Sequence, residues 1–102
     1  MSVDRGLLVI LEAKPGKAGE LAAFLAQAQP LAAAEPGTVT WYAFKLSDTT
    51  YGIFDTFASE DARQAHLNGP IAAALGQAAP GLLAKDPDIK TTDILAAKQA
   101  TP

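Results

Sequence analysis

Thr38–Pro70, TVTWYAFKLSDTTYGIFDTFASEDARQAHLNGP, is the stretch that decides the fold. It reads as two strands joined by the tight turn Ser47-Asp48-Thr49-Thr50, then a short helix carrying the sole histidine of the chain. From the first strand Val39, Trp41 and Ala43 point one way, and Tyr42, Phe44 and Leu46 the other. From the second, Tyr51, Ile53 and Phe57 oppose Gly52 and Phe54. Side chains alternate across a sheet, so a strand with one wet face alternates apolar with polar. Here both faces are mostly apolar, and both need cover.

Working outward, Leu7–Ala13 is a near-continuous apolar strand closed by the turn Lys14-Pro15-Gly16. From Lys17 to Glu35, the residues Leu21, Phe24, Leu25, Ala28, Leu31 and Ala32 recur at helical spacing. Pro30 is expected to kink that helix or end its regular part near Gln29. Glu35-Pro36-Gly37 closes the element. Ser59 is the N-cap of the second helix, with Glu60 and Asp61 in its first turn, where the helix dipole favours acids. Asn68-Gly69 stops it, and Pro70 opens a further turn running through Leu75. Gln77–Asp88 holds Pro80, Gly81 and Pro87 and reads as a compact segment over one end of the sheet. Ile89–Ala97 is the last strand, with a tail over residues 97–102. The order βαββαβ predicts one α+β domain over residues 1–102, a ferredoxin-like antiparallel sheet with helices on one face. The other face remains apolar, so the economical assembly is a two-fold homodimer whose sheet faces meet as a barrel.

Composition agrees. A 102-residue chain that is 49% hydrophobic is rich for its size, and alone it buries only about 65% of its unfolded surface. The net charge of −3, with eight scattered Lys and Arg, argues against nucleic acid and anionic membrane as partners. Without Cys there is no disulfide, thiolate nucleophile or zinc-thiolate site. The apolar run Leu7–Leu11 is far short of a membrane span, and Asp4 and Arg5 precede it without a cleavable signal pattern, so the expected location is cytoplasmic. Walker, G-x-G-x-x-G, G-x-S-x-G and H-E-x-x-H patterns are missing. Lys14-Pro15-Gly16-Lys17 lacks phosphate-loop spacing and reads as a turn. No cofactor is expected.

Thr38–Tyr42 (T-x-x-W-Y), Gly52–Phe57 (G-I-F-D-T-F) and Ala65–Pro70 (A-H-L-x-G-P) together resemble the antibiotic biosynthesis monooxygenase family of dimeric α+β barrels. With the flanking strands the likeness covers nearly the whole chain. The resemblance implies oxygenation of polycyclic phenols or quinols without metal, flavin or haem. The substrate is deprotonated, its anion passes an electron to dioxygen, and the radicals recombine to a quinone. Trp41 matches the family's tryptophan, and His66 and Asp55 stand at family-like positions. Several relatives rely on a strand asparagine, whereas the only Asn here is Asn68, in a helix-end turn. A barrel that holds a small apolar ligand without turnover is the competing reading.

His66 is the one side chain whose ordinary pKa lies near neutrality. It either bonds a backbone carbonyl and secures the helix end, or serves as general base or substrate hydrogen-bond partner. One His and no Cys cannot build a two-histidine metal triad within one chain; a single axial haem ligand is the remaining metal role, and related barrels degrade haem. Asp55, inside the second strand with Ile53 and Phe57 on its face, is costly to bury unpaired. It forms a salt bridge to Lys or Arg, orients His66, or takes a proton itself. Trp41 either packs as core or stacks on an aromatic substrate and donates its indole N–H. Tyr42, Phe44, Tyr51 and Phe54 complete the candidate substrate-binding set, with Tyr51 at the hairpin end suited to a rim or dimer contact. Glu12 and Asp93 read as edge charges that discourage sheet-to-sheet association.

Overall fold

In the computed structural model, which describes residues 3–98, β1 (Arg5–Glu12) runs through the middle of a four-stranded antiparallel sheet. β3 (Thr50–Phe57) lies on one side of it and β4 (Asp88–Asp93) on the other, with β2 (Thr38–Lys45) outside β3. The expected ferredoxin-like α+β fold is present. Helices α1 (Ala18–Ala33), α2 (Glu60–Leu67) and α3 (Pro70–Leu82) cover one face.

Register explains which face is which. Leu7, Val9 and Leu11 of β1 stand opposite Asp55, Ile53 and Tyr51 of β3, and all six are buried beneath the helices. α1 answers with a buried stripe of Leu21, Leu25, Ala28 and Ala32, and α3 with Ile71 and Leu75. The opposite face carries Leu8, Ile10, Tyr42, Phe44 and Phe54, half-buried except for Tyr42, which is 60% exposed. Gly52 is needed on that face, because a Cβ there would lie 2.4 Å from the Phe44 ring. The two-sided hairpin is therefore real, with one side capped by helices and the other left apolar.

Several boundaries differ from the sequence expectation. α1 runs through Pro30 to Ala33. Pro30 sits on the solvent side between the buried Ala28 and Ala32, so packing holds the helix across the one bond that proline cannot make. α3 likewise continues past Leu75 and through Pro80 to Leu82, so the first half of the expected compact segment is helix. Its end does pack on the sheet end: Leu83 bridges Ala13, and Ala84 N–H donates to Glu12 O at 2.8 Å. β1 begins at Arg5, leaving Ala13 as that isolated bridge, and β4 spans Asp88–Asp93 rather than continuing to Ala97. Of the expected tail, residues 99–102 lie outside the described residues. Among the described residues no helix is long and apolar enough to cross a membrane.

Candidate functional site

The polar centre of the fold forms where three elements meet. α2 starts as its sequence dictates: Ser59 is extended, and its Oγ accepts the Ala62 N–H at 3.1 Å. It stops after two turns, with Asn68 N–H on Gln64 O at 3.1 Å and Gly69 N–H on His66 O at 3.0 Å. Over that length it turns Arg63 and His66 inward. The α1–β2 connection lies against this helix at Gly37, where a Cβ would come within 2.6 Å of the Ala62 Cβ. That close approach brings Glu35 alongside His66.

The imidazole is clamped at both nitrogens. Nδ1 lies 2.6 Å from Glu35 Oε1, and Nε2 lies 2.9 Å from Asp55 Oδ2. Thr38 Oγ1 donates to the same Glu35 Oε1 at 2.7 Å. The Asp55 contact is an ion pair more than a hydrogen bond, since neither Asp55 oxygen meets an aligned donor. Phe57 packs on the ring, with centroids 5.3 Å apart and planes tilted by 44°. Exposure is 1% for Asp55, 9% for the His66 side chain and 15% for that of Glu35.

Burial is the largest single influence on His66 and pulls its pKa down. The two carboxylates, Asp55 first and then Glu35, together outweigh it, so the pKa stands above its ordinary value. Two carboxylates about one ring favour the imidazolium, which can donate from both nitrogens. The carboxylates sit at opposite ends of the ring and do not converge on a common point. Among the described residues no group of three or more His, Cys, Asp or Glu side chains could hold a metal ion.

Trp41 stands opposite Asp55 in register, on the helix-covered face. Its indole N–H is buried and, among the described residues, has no hydrogen-bond partner. The seam between α1 and β2 holds two cavities in line. One, of about 360 Å³, is lined mainly by Ala22, Leu25, Ala26, Ala43, Phe44 and Tyr51. The other, of about 230 Å³, is bounded by Trp41 with Gln29, Thr38 and Thr40. A third cavity of about 220 Å³ lies between the α1–β2 turn and α2, with Glu35 and His66 on its wall.

The sheet thus divides the residues singled out from the sequence. Trp41, Tyr51, Asp55 and His66 are on the helix side, whereas Tyr42, Phe44 and Phe54 project from the opposite face. Tyr51 is not a rim residue. It is 6% exposed, because pairing with Leu11 places it in the core under α1 and α3. His66 bonds carboxylates rather than a backbone carbonyl, and the partner of Asp55 is His66 rather than Lys or Arg. Glu35 was hidden in the sequence, since it reads as the end of a helix and lies 31 residues from the ring it touches. Arg63 was hidden too. It is buried and donates to Gly6 O at 3.2 Å and Thr92 O at 3.3 Å, tying α2 to β1 and to β4.

The family model for antibiotic biosynthesis monooxygenases matches residues 6–78, well over half of the chain. The chain belongs to the antibiotic biosynthesis monooxygenase family. A structure of a protein of unknown function from Nitrosomonas europaea is 52% identical, with a TM-score of 0.95 over 98% of this chain and 97% of that one. A Pseudomonas aeruginosa structure has a TM-score of 0.82 at 20% identity, covering 94% of this chain and 98% of the other. SnoaB of Streptomyces nogalater, a cofactor-independent oxygenase solved as an asparagine mutant, has a TM-score of 0.73 at 17% identity, covering 99% of each chain. The last two likenesses concern the fold alone. No protein of curated function matches the chain. In this chain Asp55, His66 and Glu35 form one connected cluster, with Trp41 opposite Asp55 in strand register.

Proposed function

We propose that the protein is a cofactor-independent monooxygenase acting on a small aromatic, quinol-type substrate in the seam between α1 and β2. The observation that carries this reading is the buried indole N–H of Trp41, which meets no acceptor among the described residues. A buried donor without a partner costs about 1–3 kcal/mol, and an oxygen of a bound ligand recovers it. The seam suits such a ligand, with an apolar end near Leu25 and Tyr51 and a polar end near Trp41, Gln29 and Thr40.

In this reaction the substrate loses a proton, and the resulting anion gives one electron to dioxygen. The two radicals recombine at carbon. With an anthrone, one oxygen atom stays as the new carbonyl and the other leaves as water with the two hydrogens of that carbon. Trp41 donates to the oxygen that gains charge. Asp55, paired opposite Trp41 but outside the cavity lining, takes the proton through Oδ1 by way of a bridging water, with the His66 ring holding its other oxygen. Tyr42, Phe44 and Phe54 serve on the opposite face, where a second copy of the chain covers the apolar sheet and makes the homodimer.

A second reading, a dimeric barrel that holds an apolar ligand without turnover, draws support from one fact. Among the described residues no carboxylate or imidazole lines either seam cavity. Oxygen uptake by metal-free protein, screened against quinols and anthrones, separates the two. Uptake that is lost in Trp41→Phe supports the oxygenase. Quenching of the single tryptophan by the same compounds without uptake supports the binding protein.

A further inference from the structure

Two carboxylates converge on one buried ring, and among the described residues no other cation reaches them. Asp55 and Glu35 form ion pairs with His66 and with no Lys or Arg among the described residues. The surrounding elements confirm the isolation. α3 has no charged side chain. In α1 the acid Glu20 sits at the exposed N-terminal end, paired with Lys17. In α2 Arg63 is engaged by Glu60 and by the Gly6 and Thr92 carbonyls. In β2 Lys45 faces Asp48 at the hairpin end. His66 is the local counter-ion for both acids.

The two contacts differ in kind. Glu35 Oε1 makes the shorter approach, 2.6 Å against 2.9 Å, and is itself fixed by the Thr38 hydroxyl. Asp55 is the sealed partner beside Trp41, and its oxygens have no aligned donor. We propose that Glu35 is a positioning residue for the Asp55–His66 pair: by accepting a hydrogen bond from Nδ1–H it sets the ring's orientation, turns Nε2 to Asp55 and keeps a proton on both ring nitrogens. Asp55 Oδ1 is thereby left as the free acceptor next to Trp41. This rests on the oxygenase reading for its consequence in turnover, but the protonation of His66 is measurable without any substrate.

The chain has a single histidine, so the imidazole ¹⁵N and ¹H signals report His66 with no assignment to make. In the wild type, both ring nitrogens are expected to be protonated at pH 7. Glu35→Gln removes the acceptor charge, so its ring should titrate at lower pH than the wild type. Thr38→Val removes the hydroxyl that shares Oε1, which makes that oxygen the stronger acceptor. Its ring should titrate at higher pH than the wild type. A residue with only a packing role would not move the ring in opposite directions in the two variants. With an anthrone that is turned over, the rate profile of Glu35→Gln should shift to lower pH together with the ring, and kcat should fall about 10-fold or more. Should no compound be oxidised, the oxygenase reading fails while the two titrations still decide the role of Glu35. A wild-type ring with one unprotonated nitrogen at pH 7, or a titration unchanged in Glu35→Gln, overturns the proposal. If Glu35→Gln does not fold, the direction of the Thr38→Val shift decides alone, and a downward or absent shift overturns it.

Discussion

Replacing His66 by leucine keeps most of the ring's bulk and removes the cation between Asp55 and Glu35. Asp55 is 1% exposed and the Glu35 side chain 15%, so neither acid regains water once the ring is gone. Breaking a buried ion pair by deleting one partner costs about 3–5 kcal/mol, mostly from the charge left behind. For a domain of this size each 1 kcal/mol moves Tm by about 4–8 °C, so His66→Leu should lower Tm by on the order of 20 °C at pH 7. The pH dependence carries the second half of the argument. The folded-state pKa of His66 is raised, so the ring's contribution is complete below its unfolded pKa of about 6.5 and is lost as pH rises through the folded value. The gap between wild type and variant should therefore be widest near pH 6.5 and should narrow at alkaline pH. Urea unfolding at one fixed protomer concentration measures both effects. Replacing Glu35, Asp55 and His66 together by leucine should recover most of the loss, since an absent charge needs no partner. A cost below about 1 kcal/mol for His66→Leu at pH 7, or a gap that widens with rising pH, would refute the reasoning.

Other perturbations test the parts of the fold that hold this cluster. Ser59→Ala removes the Ala62 cap bond and should cost about 1 kcal/mol, read as a shift in the urea midpoint at constant slope. Gly37→Ala places a methyl group 2.6 Å from the Ala62 Cβ, so α2 must move away from Glu35; a loss of about 1–3 kcal/mol is expected in the same assay. On the open face, sedimentation should give the wild type about twice the 10.5 kDa chain mass, and Phe44→Asp should give one chain mass. A wild type that sediments as a monomer removes the proposed assembly.

Much of the architecture was legible in the residues themselves. The alternation in Thr38–Phe57 revealed a hairpin needing cover on both sides, because side-chain direction in a strand follows sequence parity alone. The Ser59 cap, the Asn68-Gly69 stop and Pro70 at the start of α3 were equally readable, since each acts within a turn of itself. The reach of α1 through Pro30 and of α3 through Pro80 was not, because burial of Ala28, Ala32, Ile71 and Leu75 outweighs the local cost of proline. The site divides in the same way. Trp41, Asp55 and His66 stood out by residue type: an aromatic with a polar handle, an acid on an apolar face and a lone imidazole. That Asp55 meets His66, that Glu35 closes the other end of the ring, and that Arg63 is buried against Gly6 and Thr92 were decided only in three dimensions. These contacts join residues far apart in the chain. Their partners are chosen by strand register and helix docking, which no local pattern encodes.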